Sequence, residues 1–194
     1  VPEFRTLLEI LSAVLVPVAT LFYILGILRG TILPTKATWL VWTVLSTLLT
    51  LSMYEAGTLN LQILSTTGAD VVVLVLTLRY GKAWAWSTFD VACIVLAGTS
   101  IALWQSTGDP LWGVVFNSLA VVLGSFPLFK EVWLNPEVEK PLPWILMMVS
   151  SICILVALRQ WSIESAAQPL IYLFVPGVVV ALTLFPARPQ LAKF

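Results

Sequence analysis

Residues 61–78 read LQILSTTGADVVVLVLTL. A single ionisable side chain, Asp70, sits in a run that is otherwise apolar or weakly polar. As a helix the run rises about 27 Å, close to the roughly 30 Å hydrocarbon core of a bilayer. A strand of a membrane barrel would alternate polar and apolar side chains over about ten residues. This run does not alternate, so it predicts a transmembrane helix with a carboxyl near its middle.

The same pattern recurs along the chain. Apolar runs predict spans at 7–28, 38–54, 61–78, 88–105, 111–129, 142–158 and 169–185. Turn chemistry separates them: Arg29-Gly30 through Lys36, Gly57 to Asn60, Gly81-Lys82, Gly108-Asp109-Pro110 and Asn135-Pro136, with Pro186 to Pro189 after the last. Composition agrees. The 194 residues are 59% hydrophobic and 10% charged, with mean hydropathy +0.99, whereas a soluble domain carries about 25% charged residues. Seven spans of about 20 residues leave no room for a soluble domain. The expected fold is an all-α integral membrane protein of seven transmembrane helices. The first residues, VPEFRTLLEI, lack the basic region and small-residue cleavage site of a secretory signal, so the first span is expected to be retained.

Several chemistries drop out. The chain has no histidine, which removes the commonest metal ligand and the commonest general base. Cys93 and Cys153 stand far apart in apolar runs and form no zinc pattern. No Ser–Lys or Asp–Asp pair stands at matching depth. The expectation is no catalytic residue, no metal and no cofactor. A net charge of zero argues against a nucleic-acid partner. A retinal-type sensor would need a lysine in the seventh span, and 169–185 has none.

Orientation follows from the basic residues. Arg5 and Arg159 fall on the side of the N-terminus and the loops after spans two, four and six. Arg29, Lys36, Arg79, Lys82, Lys130, Lys140, Arg188 and Lys193 fall on the other. The positive-inside rule then puts the N-terminus outside and the C-terminus in the cytoplasm. All nine tryptophans lie near predicted span ends, as interfacial anchors do.

Spans one to three and five to seven carry parallel punctuation. Pro34-Thr35-Lys36-Ala37-Thr38-Trp39 opens span two, and Pro136 through Lys140 to Pro143-Trp144 opens span six. Leu25-Gly26 and Leu123-Gly124 precede those loops. The pattern predicts two parallel three-helix bundles joined by a linker helix: a first repeat over 1–81, the linker over 82–108 and a second repeat over 109–194. Internal repeats of this kind are a transporter device.

Ser125-Phe126-Pro127-Leu128, Val132 and the stretch Glu137 to Trp144 resemble the second half-repeat of the SWEET and PQ-loop superfamily, and PTKATWLVW at 34–42 is similar to its small bacterial members. The resemblance implies the same three-plus-one-plus-three fold and a solute transporter. The sequence departs from that pattern where the family's sugar pocket carries Pro-Asn pairs. Gly177 follows Pro176, and span three reads Thr66-Thr67-Gly68-Ala69-Asp70. No Pro-Gln dipeptide stands in either loop.

Candidate solute-binding residues are those that put polar groups, space or aromatic faces inside the membrane: Asp70, Thr66, Thr67, Trp39, Trp42, Asn117, Pro176 and Gly177. A carboxylate at the bilayer centre costs about 2.5–3.5 kcal/mol on insertion scales, so it needs partners or water. Asp70 is expected to face the interior, near Asn117 or the Pro176 kink. Pro176 frees a carbonyl, as irregular helices do where they line a cavity. Two functions fit: a small-solute facilitator working by alternating access, or an accessory subunit of a larger membrane complex. The expected partners are the lipid bilayer, a small polar solute, and either a second copy or a larger membrane assembly.

Overall fold

A computed structural model describes residues 2–32 and 34–185. The expected break at Pro186 to Pro189, Arg188 and Lys193 lie outside the described residues. The elements are α1 (Pro2–Leu28), α2 (Lys36–Glu55), α3 (Leu61–Tyr80), α4 (Thr88–Thr107), α5 (Leu111–Leu134), a 3₁₀ turn (Pro136–Val138), α6 (Pro141–Ala157) and α7 (Ile163–Leu184). Six of the helices are long and apolar enough to cross a membrane, and α6 is apolar but shorter, at 17 residues. The chain is a helical integral membrane protein.

The helix ends follow from local chemistry. Asn60 accepts a hydrogen bond from the Ile63 amide at 3.0 Å and caps α3. Ser87 and Asp90 cap α4 reciprocally, as do Ser162 and Ser165 for α7. Such caps satisfy amides that a helix start leaves free. Gly108 ends α4 at φ 69°, in the left-handed region that glycine enters without strain.

Three helices run five or more residues further than their apolar runs, and the first, α1, begins at Pro2, not Leu7. α5 continues five residues past the expected end at Phe129, through Pro127. α7 begins at Ile163, not Pro169, because the Ser162 cap starts it a turn and a half earlier. Pro169 and Pro176 both lie inside α7.

Packing follows a closed order. α3 lies between α1 and α2, and α7 lies between α5 and α6. α1 packs on α6, and α2 packs on α5. Six helices thus form a ring in the order α1, α3, α2, α5, α7, α6. α4 packs on α5 and touches α2. Leu49, Met53, Ile63 and Val114 form one core cluster, against which Tyr172 and Ala167 pack. Val41, Leu45, Cys93, Ala97 and Ala120 form a second, where α4 meets α2 and α5. α2 and α5 approach closely because Gly113 faces Ser52; a Cβ on Gly113 would overlap the Ser52 side chain. Small residues allow such backbone approach in membranes, where dispersion rather than water drives association.

A candidate solute site at mid-depth

Asp70 is the tenth residue of α3, ten residues from the end at Tyr80. It is half-buried and points toward α2 and α7. The Ser46 hydroxyl of α2 lies near the carboxyl and donates to the Thr43 carbonyl at 3.2 Å. Tyr172 of α7 lies close enough to interact with it electrostatically. The backbone is tied at the same level: Thr43 Oγ1 donates to the Asp70 carbonyl at 3.3 Å. Pro176 has no N–H, so the carbonyl one turn back, that of Tyr172, loses its helical donor. A carboxyl, a hydroxyl and a phenol therefore lie near one another between α2, α3 and α7.

The other candidates divide. Thr67, one turn before Asp70, shares a hydrogen bond with Thr50 at 2.7 Å and donates to the Ser46 carbonyl at 3.1 Å. It belongs to the same α2–α3 seam. Thr66 is buried and bonds back to the Gln62 carbonyl at 2.9 Å. Pro176 is buried and Gly177 half-buried beside Met148 of α6.

Trp39 and Trp42 occupy the face of α2 that leads from Ser46 to the loop end. Trp39 Nε1 donates to the Tyr23 hydroxyl of α1 at 3.3 Å, and its ring lies 5.2 Å from Tyr23 and 5.5 Å from Trp42. The Trp42 N–H is buried and unpartnered among the described residues. Gly124 leaves room for it: a Cβ there would stand 3.2 Å from that nitrogen.

Asn117, one of the two neighbours expected for Asp70, bonds to α4 and α5. Its amide donates to Ser100 of α4 at 3.2 Å and to the Gly113 carbonyl at 2.8 Å. The small residues on α5 turn that face to α2 and α4, and Asn117 goes with it. Its Oδ1 and the neighbouring Ser118 hydroxyl are buried without partners among the described residues.

At the same end of the ring as the Trp39–Tyr23 pair, the loop before α6 brings in Glu139. Its Oε2 accepts from Trp144 Nε1 at 3.0 Å. Burial pushes the Glu139 carboxyl up; the Trp144 hydrogen bond opposes this, and the Glu131 charge adds to it.

Sequence reading missed a second polar assembly at the opposite end. Gln168 of α7 donates to Gln62 of α3 at 3.0 Å. Gln62 donates to Ser150 and Ser151 of α6 at 2.8 and 3.0 Å. Ser150 pairs with Ser12 of α1 at 2.8 Å and donates to its carbonyl at 3.0 Å. Asn60 closes the chain by donating to Gln168 at 3.0 Å. Gln62, Gln168, Ser12, Ser150 and Ser151 are fully buried, and each side-chain oxygen and amide has its partner. An open cleft of about 470 Å³, lined by Glu9, Thr58, Asn60, Arg159, Ser162 and Ser165 among others, lies beside this assembly.

No family model, curated protein or solved structure matches the chain.

Proposed function

We propose that the chain is a small-solute membrane facilitator that works by alternating access between two three-helix bundles, α1–α3 and α5–α7, with α4 as the linker. In this reading all seven helices cross the bilayer. The N-terminus is outside and the C-terminus is cytoplasmic, as the basic residues imply, and the arrangement is SWEET-like.

The helix order supports it. In each triplet the third helix lies between the first two, and first packs on second across the halves at both seams. Such a two-fold relation lets one bundle rock against the other around a fixed central site. The observation that carries the reading is Asp70. An ionisable group at mid-depth is retained only where partners or water compensate it, which makes it a functional candidate. Its surroundings come from both bundles: Ser46 from the first and Tyr172 from the second.

The role follows from that position. The carboxyl either accepts a hydrogen bond from a solute or carries a proton as the bundles exchange access. On the outer side the Gln62–Gln168–Ser150 assembly holds the bundles together, so outward opening requires those bonds to break. A thermal-shift screen of the purified protein against sugars, amino acids and vitamins tests the reading, since a solute that binds the folded state raises its melting temperature by mass action. A hit that is also taken up by proteoliposomes supports it. A chain that binds no solute and purifies only within a larger assembly overturns it in favour of an accessory subunit.

A further inference from the structure

We infer that the loop between α3 and α4 forms, with the start of α2, a ledge that binds the headgroup of an anionic phospholipid. This inference is independent of the transport reading. The loop joins the ends of two membrane helices, so it stands at the bilayer surface. It is pinned to the preceding loop: the Lys82 amide donates to the Pro34 carbonyl at 2.9 Å, and Thr35 and Lys82 form a parallel β-bridge. That bridge brings Lys36 and Lys82 to one place. Arg79 adds a third cation, 5.5 Å above the Tyr80 ring. Among the described residues no ion pair engages these cations. The nearest acid in sequence, Asp90, is buried, with one oxygen committed to the Ser87 cap and the other accepting from Thr38 at 3.4 Å.

Beside the cations stand two aromatic rings that the protein leaves uncovered. Trp84 and Trp86 are 51% and 52% exposed, yet their rings stack 16° from parallel at 6.2 Å. A pair held together without burial makes a flat apolar plate with indole N–H groups at its edge. Indoles prefer the headgroup level, where the ring meets acyl chain and the N–H meets water or phosphate. Cations next to such a plate select lipids with net negative charge, because a zwitterionic headgroup brings its own ammonium to the same surface. The loop before α6 on the same side mixes its cations Lys130 and Lys140 with Glu131, Glu137 and Glu139, and lacks this complementarity.

The test uses the whole protein in neutral detergent. Its melting temperature is followed against dioctanoyl-phosphatidylglycerol, dioctanoyl-phosphatidylcholine and inorganic phosphate. The glycerol lipid should stabilise at lower concentration than the choline lipid, and more salt should weaken it. Lys36→Gln with Lys82→Gln should weaken it about 25-fold, about fivefold per charge. Trp84→Ala with Trp86→Ala should weaken it as well, and Lys130→Gln with Lys140→Gln should leave it unchanged. Equal response to the two lipids, or a salt-independent response, overturns the inference even if the double lysine variant does not fold. An equal shift from phosphate alone makes the ledge a free-anion site and overturns it too. No response to either lipid leaves the ledge to a protein partner, which also overturns it.

Discussion

Gln168 Nε2 donates to Gln62 Oε1 across 3.0 Å, and both side chains are fully buried. They stand on α7 and α3, each of which packs between two other helices, so one bond ties two opposite members of the ring. Each amide both gives and receives. Gln168 receives from Asn60 while it gives to Gln62, and Gln62 gives both its protons to Ser150 and Ser151. A fully satisfied network in a low-dielectric interior specifies one arrangement, whereas a half-satisfied one is costly.

Gln62→Leu should therefore lower the unfolding free energy by about 1–3 kcal/mol, since interhelical hydrogen bonds in membranes average about 0.6 and reach about 1.7 kcal/mol each. Adding Gln168→Leu should cost less than the sum of the single changes, because the second removes a partner already orphaned. Unfolding in mixed micelles measures both. Additive losses would show that the two glutamines do not act as a unit.

Glycines separate by what surrounds them. Gly113→Ala should destabilise by about 1–3 kcal/mol through overpacking, because its Cβ would overlap Ser52. Gly68→Ala should stabilise by about 0.5–1 kcal/mol, as for an open helix-interior glycine, because nothing lies within 4 Å of its Cβ. Melts of the two variants in one detergent give the comparison.

Glu139 gives stability a pH dependence of known sign. Its carboxyl is held above the ordinary range, by burial first. A raised carboxyl favours the folded state below its unfolded pKa, and that contribution is lost as pH rises through the folded value. Glu139→Gln keeps an acceptor for Trp144 and removes the titration. Its melting temperature should equal or exceed the parent's at neutral pH and should vary less between about pH 4 and about pH 7. A steeper profile in the variant would contradict this cause.

Topology is open to labelling. Single cysteines at Gly57 or Asp109 should react with an impermeant thiol reagent from outside intact cells. Those at Lys36 or Lys82 should react only after permeabilisation. The reverse pattern would invert the orientation and leave the packing untouched.

Much of the fold was legible in the sequence because each helix carries its own signal. The apolar runs marked seven helices, and Gly30, Gly57 and Gly108 marked turns where the chain adopts positive φ. Asp70 was legible because a carboxyl in an apolar run has no local explanation. Gln62 and Gln168 were not. Gln62 is the second residue of its helix and reads as an end polar group, and Gln168 lay outside a span thought to begin at Pro169. Ser12, Ser150 and Ser151 read as small packing residues until their partners on other helices are known. The partners of Asn117 were hidden for the same reason. Its depth was readable, but its direction was set by α4, whose contacts no single span encodes.

The central claim rests on Asp70, and Asp70→Asn tests it most directly. The amide keeps the shape and removes the titration. In proteoliposomes loaded for uptake of the solute that most stabilises the purified protein, the variant should lose uptake or lose its pH dependence. Its melting temperature should stay within a few degrees of the parent's, since the amide fills the same space beside Ser46. Uptake with the parent's rate and pH profile would contradict a functional role for the carboxyl. A large loss of stability with no effect on the uptake that remains would make it a structural hydrogen bond between helices.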